Sequence, residues 1–253
     1  MQKLISLARK AINDYNMIQE GDKIAVGISG GKDSIALLAA LANYKKFAPY
    51  HFDLIGININ VGFEDLDRKE VDNLIKYCKD ELDVELIVED TDIKQIVFDE
   101  RKETNPCSLC SKMRRGALNT VAIKNGCNKI ALGHHADDVL DTFLLSFIYE
   151  GRLSTFAPVS YMSRSDITLI RPFIYVEEKN IKGVVNRYNF PVIHNPCPED
   201  KHTERESTKE LVKMIEDKFG YCKTRMLSAL FHPERNNLWD KVKATLNVED
   251  NKD

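Results

Sequence analysis

Several things are missing from this 253-residue chain. No apolar run approaches the roughly 18 residues that span a bilayer, which excludes an ordinary membrane helix and predicts no membrane partner. Met1 to Ile12 lacks an apolar signal core, so a secretory leader is not expected and a cytoplasmic location is. There is no charge excess of either sign: the net charge is −3, which excludes a protein coated in basic surface but leaves room for a local basic face. Internal repeats and low-complexity tracts are absent. A second Cys-x-x-Cys to match Cys107-Ser-Leu-Cys110 is absent too, which argues against the four-thiolate zinc site built from two such pairs. Six cysteines in a long chain without a leader read as thiols or metal ligands before they read as a disulfide framework.

What is present centres on Ile24-Ala25-Val26-Gly27-Ile28-Ser29-Gly30-Gly31-Lys32-Asp33-Ser34. A β-branched run breaks into a Gly-Gly turn and then into the apolar helix Ser34 to Leu41. That order leaves free N–H groups at a helix N-terminus, a site suited to phosphate. Ser29 and Ser34 add hydroxyls and Lys32 adds a point charge. Two commoner nucleotide motifs fail here. Walker A would need glycine at Val26 and a hydroxyl at Asp33. The dinucleotide fingerprint would need glycine at Ser29 and Lys32.

Around this loop the pattern alternates. Apolar residues at Leu4, Leu7, Ala8, Ala11 and Ile12 predict a helix over Lys3–Asn16. A strand from about Phe52 through Val61 follows the loop's helix, then a helix over Leu66–Leu82 and a strand over Val84–Val88. A short helix over Ile93–Arg101 and a basic helix from the cysteine pair to Asn125 come next, the latter ended by Asn125-Gly126. Lys129–Gly133 is a fourth strand, Val139–Tyr149 a helix, Ile167–Phe173 a fifth strand and Glu177–Tyr188 a helix. Gly151 to Ser165 reads as irregular. Helices over Thr203–Phe219 and Tyr221–Phe231 close the chain. The expectation is an α/β, doubly wound, mostly parallel five-stranded sheet with a helical C-terminal extension. Ligands then lie at the carboxyl edge of the strands, where the glycine loop and His134-His135-Ala136-Asp137-Asp138 both fall.

The chemistry-bearing groups admit more than one reading. Cys107 and Cys110 at a helix start, with Lys112, Arg114 and Arg115 behind them, suit a redox pair, a zinc site or an iron–sulfur cluster. Cys197, between Pro196 and Pro198, is the natural third thiolate. Cys78 and Cys127 read as small core residues, and Cys222 is ambiguous. Asp138 can hold Mg²⁺ or cap the helix at Val139. Asp33 can do either at the loop. His134 and His135 are structural or functional on equal terms. Ile57 and Asn58 end a strand where an adenine would rest, and read equally well as core. The arginines and lysine near the cysteines, with Arg152 further on, suit RNA phosphates or a solvated face.

Ser29-Gly30-Gly31-Lys32-Asp33-Ser34 resembles the pyrophosphate loop of the PP-loop ATPases, the adenine nucleotide alpha hydrolase-like fold. Taken with Cys107-Ser-Leu-Cys110 and its Lys-Met-Arg-Arg, Gly133-His134-His135-Ala136-Asp137-Asp138, Arg171-Pro172-Phe173 and Pro196-Cys197, in that order, the chain resembles the TtcA-type tRNA 2-thiocytidine synthetases from about Lys3 to about Leu230. It departs from many members in carrying Cys197 alone at the later cysteine site. The resemblance implies an N-terminal helix over residues 1–20 and a PP-loop domain over 21–195. It implies an extension over 196–253 carrying the third cluster ligand. It implies ATP held by Ser29, Gly30, Gly31, Lys32, Asp33, Ser34, Ile57, Asn58, Gly133 and His134. It further implies Mg²⁺ at Asp33 and Asp138 and a [4Fe–4S] cluster on Cys107, Cys110 and Cys197. The catalytic set would be those cysteines and Asp138, with tRNA on Lys112, Arg114, Arg115 and Arg152. The implied activity is ATP-dependent tRNA thiolation, with an anticodon-loop cytidine adenylated at C2 and its oxygen replaced by sulfur. A cysteine desulfurase or free sulfide would supply the sulfur, and a homodimer is implied. The residues alone also fit a thiolase of another tRNA base or a small molecule, or a non-catalytic nucleotide-binding redox or metal sensor.

Overall fold

The computed structural model describes residues 1–101, 106–194, 196–197, 204–235 and 237–238. The chain forms two units, residues 1–208 and 209–253. Its elements in order are α1 (Gln2–Asp14), β1 (Asp22–Gly27), α2 (Lys32–Lys45), β2 (Phe52–Asn60), α3 (Arg68–Leu82), β3 (Leu86–Asp90), a π-helical turn (Gln95–Glu100), α4 (Pro106–Lys124), β4 (Lys129–Ala131), α5 (Ala136–Glu150), β5 (Val159–Met162), β6 (Ile167–Ile170), α6 (Glu178–Tyr188), α7 (Glu204–Phe219) and α8 (Cys222–Phe231), then a short 3₁₀ turn (Pro233–Arg235).

The sheet runs β3-β2-β1-β4-β6-β5. Every neighbouring pair is parallel except β5 with β6. β1 and β2 are buried along nearly their whole length, as strands covered on both faces must be. α1, α2, α3 and α6 pack together on one side. On the other, α4 lies across β2 and β4, and Ile55, Ile57, Ile59, Val121, Ala122, Ile130 and Leu169 form the core between them. α2 is buried on all sides, so its run Ser34-Ile-Ala-Leu-Leu-Ala-Ala-Leu41 carries no polar face. Among the described residues no helix is long and apolar enough to cross a membrane.

The expected five strands become six. β5 was read as irregular because its sequence, Val159-Ser-Tyr-Met162, is a short edge with one apolar face, and Tyr161 on it is 64% exposed. It folds back on β6 through a turn that sets Asp166 at φ +49°, a value that asparagine and aspartate tolerate best among side-chain-bearing residues.

A buried ion pair fixes the entry to β1. Lys129 Nζ lies 2.6 Å from Asp22 Oδ2. The other Asp22 oxygen accepts from Asn128 Nδ2 at 2.8 Å. The strand order reverses its direction of growth between β1 and β4, which opens a crevice outside their carboxyl ends.

Candidate active site

The β1–α2 connection closes on itself before it offers anything to a ligand. Gly30 sits at φ +84° and Gly31 is extended ahead of the helix. Ser34 Oγ donates to the Gly31 carbonyl at 2.9 Å and accepts from the Ser29 N–H at 3.2 Å. The Gly31 N–H donates to Ser29 Oγ at 3.3 Å. The two hydroxyls therefore shape the loop, and the N-terminus of α2 faces the crevice as an anion site. Three neighbours hold it there. Asn58, expected against the nucleotide, instead buries its amide and donates to the Ile28 carbonyl at 2.7 Å. At Gly133 a β-carbon would meet the backbone of Asp33 and Ser34 at 3.1 Å, so only glycine lets β4 approach this closely. The Ile193 N–H donates to the Gly30 carbonyl at 2.9 Å, which lays the segment leading to Cys197 against the loop. The His194 N–H beside it donates to Glu70 at 2.8 Å.

A cavity of about 570 Å³ opens from this point. At one end it is lined by Gly27, Ile28, Ser29, Asp33, Ser34, Gly133, His134 and Asp138, with Ile57 and Ile59 on an apolar side. Asp33 Oδ2 pairs with Lys32 at 3.0 Å, whereas its buried Oδ1 has no hydrogen-bond partner. The His135 imidazole is 3.7 Å from that oxygen and 3.5 Å from Asp138. Asp138 accepts the His135 N–H at 2.9 Å and so caps α5, while its side chain also faces the cavity. Asp137 turns elsewhere and accepts the Glu178 N–H at 2.8 Å, at the start of α6.

Lys32 is not part of the cavity wall. Its ammonium lies 2.9 Å from Glu178 and 3.0 Å from Asp33. Burial alone would lower its pKa, but these carboxylates hold it above the ordinary lysine value. Glu178 answers in kind. Burial pushes its carboxyl up, yet hydrogen bonds from Lys182 and Lys32 prevail and bring it down to about 2. Glu178 is not legible along the chain, because the pairing joins residues far apart in it.

The cysteine pair opens α4, with Cys107 exposed and Cys110 half-buried. Burial pushes the Cys110 thiol up, the Arg114 guanidinium pulls it back, and the charges of Cys197 and Cys107 raise it again. Cys197 is thus within electrostatic reach of the pair although the chain separates them widely. Among the described residues no group of three or more His, Cys, Asp or Glu side chains is placed to hold a metal ion. The next turns of α4 place Ser111, Arg114 and Arg115 in the cavity wall. Lys112 and Arg152 are exposed on the surface. Cys78 and Cys127 are buried, and burial raises both thiols. Cys222 begins α8 in the second unit.

The cavity wall also holds residues that sequence reasoning passed over: Asn119, Thr142 and Phe156, with Arg171 noted there only as part of a motif. A charged residue closing an apolar strand was a usable signal for Arg171. Asn119 and Thr142 carried none.

A family model described as the PP-loop domain matches residues 3–214. The tRNA-cytidine(32) 2-sulfurtransferase of Syntrophotalea carbinolica is 34% identical over 242 residues, 94% of this chain and 92% of that protein. The protein of the same name from Geobacter metallireducens is 37% identical over 235 residues, 92% and 90% of the two chains. Among solved structures, the U34-tRNA thiolase NcsA from Methanococcus maripaludis, with its [4Fe–4S] cluster, superposes with a TM-score of 0.70 at 25% identity. That match covers 93% of this chain and 80% of the other.

Proposed function

The chain belongs to the PP-loop domain family and, at 34–37% identity over more than nine-tenths of its length, to the tRNA-cytidine(32) 2-sulfurtransferases; from that premise we propose that it adenylates a cytidine of the tRNA anticodon loop at O2 and replaces that oxygen with sulfur. The observation that carries the proposal is that Cys107 and Cys110 open the helix whose next turns line the phosphate-loop cavity, with the charge of Cys197 felt at Cys110.

ATP enters with its β- and γ-phosphates on the α2 N-terminus, where oriented N–H groups neutralise them. Asp33 and Asp138 are the carboxylates for Mg²⁺, which is satisfied by one or two carboxylates with phosphates and water. The unpartnered Asp33 Oδ1 is the kind of oxygen such an ion completes. The cytidine O2 attacks the α-phosphorus, the bond to the β-phosphate oxygen breaks, and pyrophosphate leaves. A sulfur nucleophile then adds at C2, the C2–O bond breaks, and AMP departs with the oxygen. Arg114 and Arg115, in the wall between thiols and loop, stabilise the negative charge of the leaving AMP. Because the target base must leave its stack to reach this cavity, a single-stranded loop is the suitable substrate.

Three thiols are the donor type a [4Fe–4S] cluster takes, two of them one helical turn apart on α4 and the third on the segment tied to Gly30, although among the described residues they do not form a closed metal-binding group. Cys107, Cys110 and Cys197 would hold the cluster, and it would supply the sulfur nucleophile. A donor outside the chain, a cysteine desulfurase or free sulfide, renews it, and a homodimer is the assembly we expect.

Cys197→Ser is the test. The variant should lose iron and acid-labile sulfide after anaerobic reconstitution and yield no 2-thiocytidine in tRNA digests, while binding ATP as the parent does. Retained thiolation would refute the cluster role, and 2-thiouridine in place of 2-thiocytidine in the parent's product would refute the choice of base.

A further inference from the structure

The cavity wall at its β5–β6 end is chemically incomplete. Arg171 closes β6 and is only 8% exposed, yet among the described residues it has no carboxylate partner. One of its terminal nitrogens donates to the Ala157 carbonyl at 2.6 Å and to Ser160 Oγ at 3.3 Å. Its Nε has no partner. The guanidinium lies 5.0 Å from the Phe156 ring, and that ring lies 5.0 Å from the His134 ring. Two further wall residues share the defect. Asn119 turns its amide nitrogen toward the Met162 sulfur at 3.9 Å, and its buried carbonyl oxygen is unpaired. The Thr142 hydroxyl is also buried and unpaired. Buried polar atoms without partners are rare and costly, and three on residues that line one cavity mark a place that a polar ligand completes.

The missing ligand has a definite outline. It is flat enough to lie against Phe156, offers a donor to Asn119 and presents acceptors to Arg171. We infer that the Asn119–Thr142–Phe156–Arg171 corner receives the target cytosine, with Asn119 accepting from its 4-amino group and Arg171 donating to its ring-nitrogen and carbonyl acceptors. This rests on the proposed cytidine thiolation and adds the residues that choose the base. Uracil would place a 4-carbonyl against the Asn119 oxygen, leaving two acceptors face to face. Adenine shares the amino group, but the same edge has a ring nitrogen alone to offer Arg171. A site that hydrogen-bonds a buried substrate group rejects the analogue that lacks it far more strongly than an apolar pocket rejects a change of size.

The experiment measures binding of an anticodon-arm hairpin in the presence of a non-hydrolysable ATP analogue. One hairpin carries cytidine at the target position. The other carries the same ring without its 4-amino group. The parent protein should prefer cytidine by about 10- to 100-fold, the cost of leaving a buried acceptor unpaired. Asn119→Leu should reduce that preference to less than about twofold and leave ATP affinity unchanged. Arg171→Lys, which keeps the charge but loses the planar fork, should weaken the cytidine hairpin and spare ATP. A parent that thiolates cytidine but shows no preference for the amino group, or an Asn119→Leu variant that keeps the preference, overturns this assignment and leaves the function standing. Loss of ATP affinity in Arg171→Lys would give the corner to the nucleotide and overturn it as well. A parent that thiolates no cytidine removes the premise and the inference together.

Discussion

Gly30→Ala separates a conformational cost from a contact cost, and a second glycine supplies the control. Gly30 and Gly126 both have positive φ, +84° and +71°. An alanine at either position enters the left-handed region at about 1–2 kcal/mol. Around Gly126 an added β-carbon meets nothing within 4 Å. At Gly30 it lands 2.9 Å from Ile193 Cβ, with Cδ1 and Cγ1 at 3.3 and 3.4 Å. A β-carbon cannot swing away as a side-chain tip can, because the Ile193 N–H is bonded to the Gly30 carbonyl. Overpacking of this kind costs about 1–3 kcal/mol more, so Gly30→Ala should lose about 2–5 kcal/mol in all. At about 2–4 °C per kcal/mol for a domain of this size, the thermal midpoint should fall by about 2–8 °C for Gly126→Ala and about 4–20 °C for Gly30→Ala. ATP affinity should fall in Gly30→Ala alone, since that clash displaces the phosphate loop. Ile193→Ala should not rescue Gly30→Ala, because alanine keeps the offending Cβ, whereas Ile193→Gly should recover the contact part. Calorimetry of the parent and these four variants with and without ATP is the assay. Equal midpoints for Gly30→Ala and Gly126→Ala would refute the claim that this loop and the cysteine-bearing segment are pressed together.

Two further perturbations probe the scaffold around the site. Glu178 ionises more readily in the folded chain than its ordinary value near 4.5 allows. Its stabilising effect is therefore complete above that pH and fades as pH falls toward about 2. Both partners are partly exposed, so screening holds the effect to about 1 kcal/mol. Unfolding free energies of the parent and Glu178→Gln from urea titrations should differ by that amount at pH 7 and draw together as the pH falls toward about 2, and a gap that stayed constant would show that the ion pair is not its source. Lys129→Met strands the buried Asp22 carboxylate and should lose about 3–5 kcal/mol in a denaturant titration, most of it restored by adding Asp22→Asn. A loss below about 1 kcal/mol would mean that the pair contributes no more than a surface bridge.

Much of this architecture could be read along the chain because local pattern and tertiary role coincide there. The run into Gly27, the Gly30-Gly31 bend and the apolar α2 each carry their own signature, and Asn125-Gly126 ends α4 with Gly126 at φ +71° as a glycine cap does. What could not be read were roles decided by a distant partner. Lys32 reads as a phosphate ligand, and its pairing with Glu178 could not be read beside it. Asn58 reads as a nucleotide contact, and the hydrogen bond from its amide to the Ile28 carbonyl could not be read either. Asp137 and Asp138 are neighbours of one type, yet one serves the start of α6 and the other the cavity. The corner at Arg171 draws on α4, α5, the loop before β5 and the end of β6, so no window of sequence contains it.

Under the proposed function, the placement of α4 would let two chemistries share one crevice. Adenylation needs a water-poor pocket with fixed donors at the phosphates, and sulfur transfer needs soft, negatively charged thiolates kept from neutralising those donors. Both ends must nevertheless meet at one carbon atom. A single rigid helix answers both demands. Its start presents Cys107 and Cys110, Arg114 further along lines the cavity, and its body is locked to β2 and β4 through Val121 and Ala122. Arg114 pulls the Cys110 thiol down while standing in the cavity wall, so one charge acts on both the sulfur end and the cavity. The third thiol comes from outside this helix, on a segment anchored to the phosphate loop at Gly30.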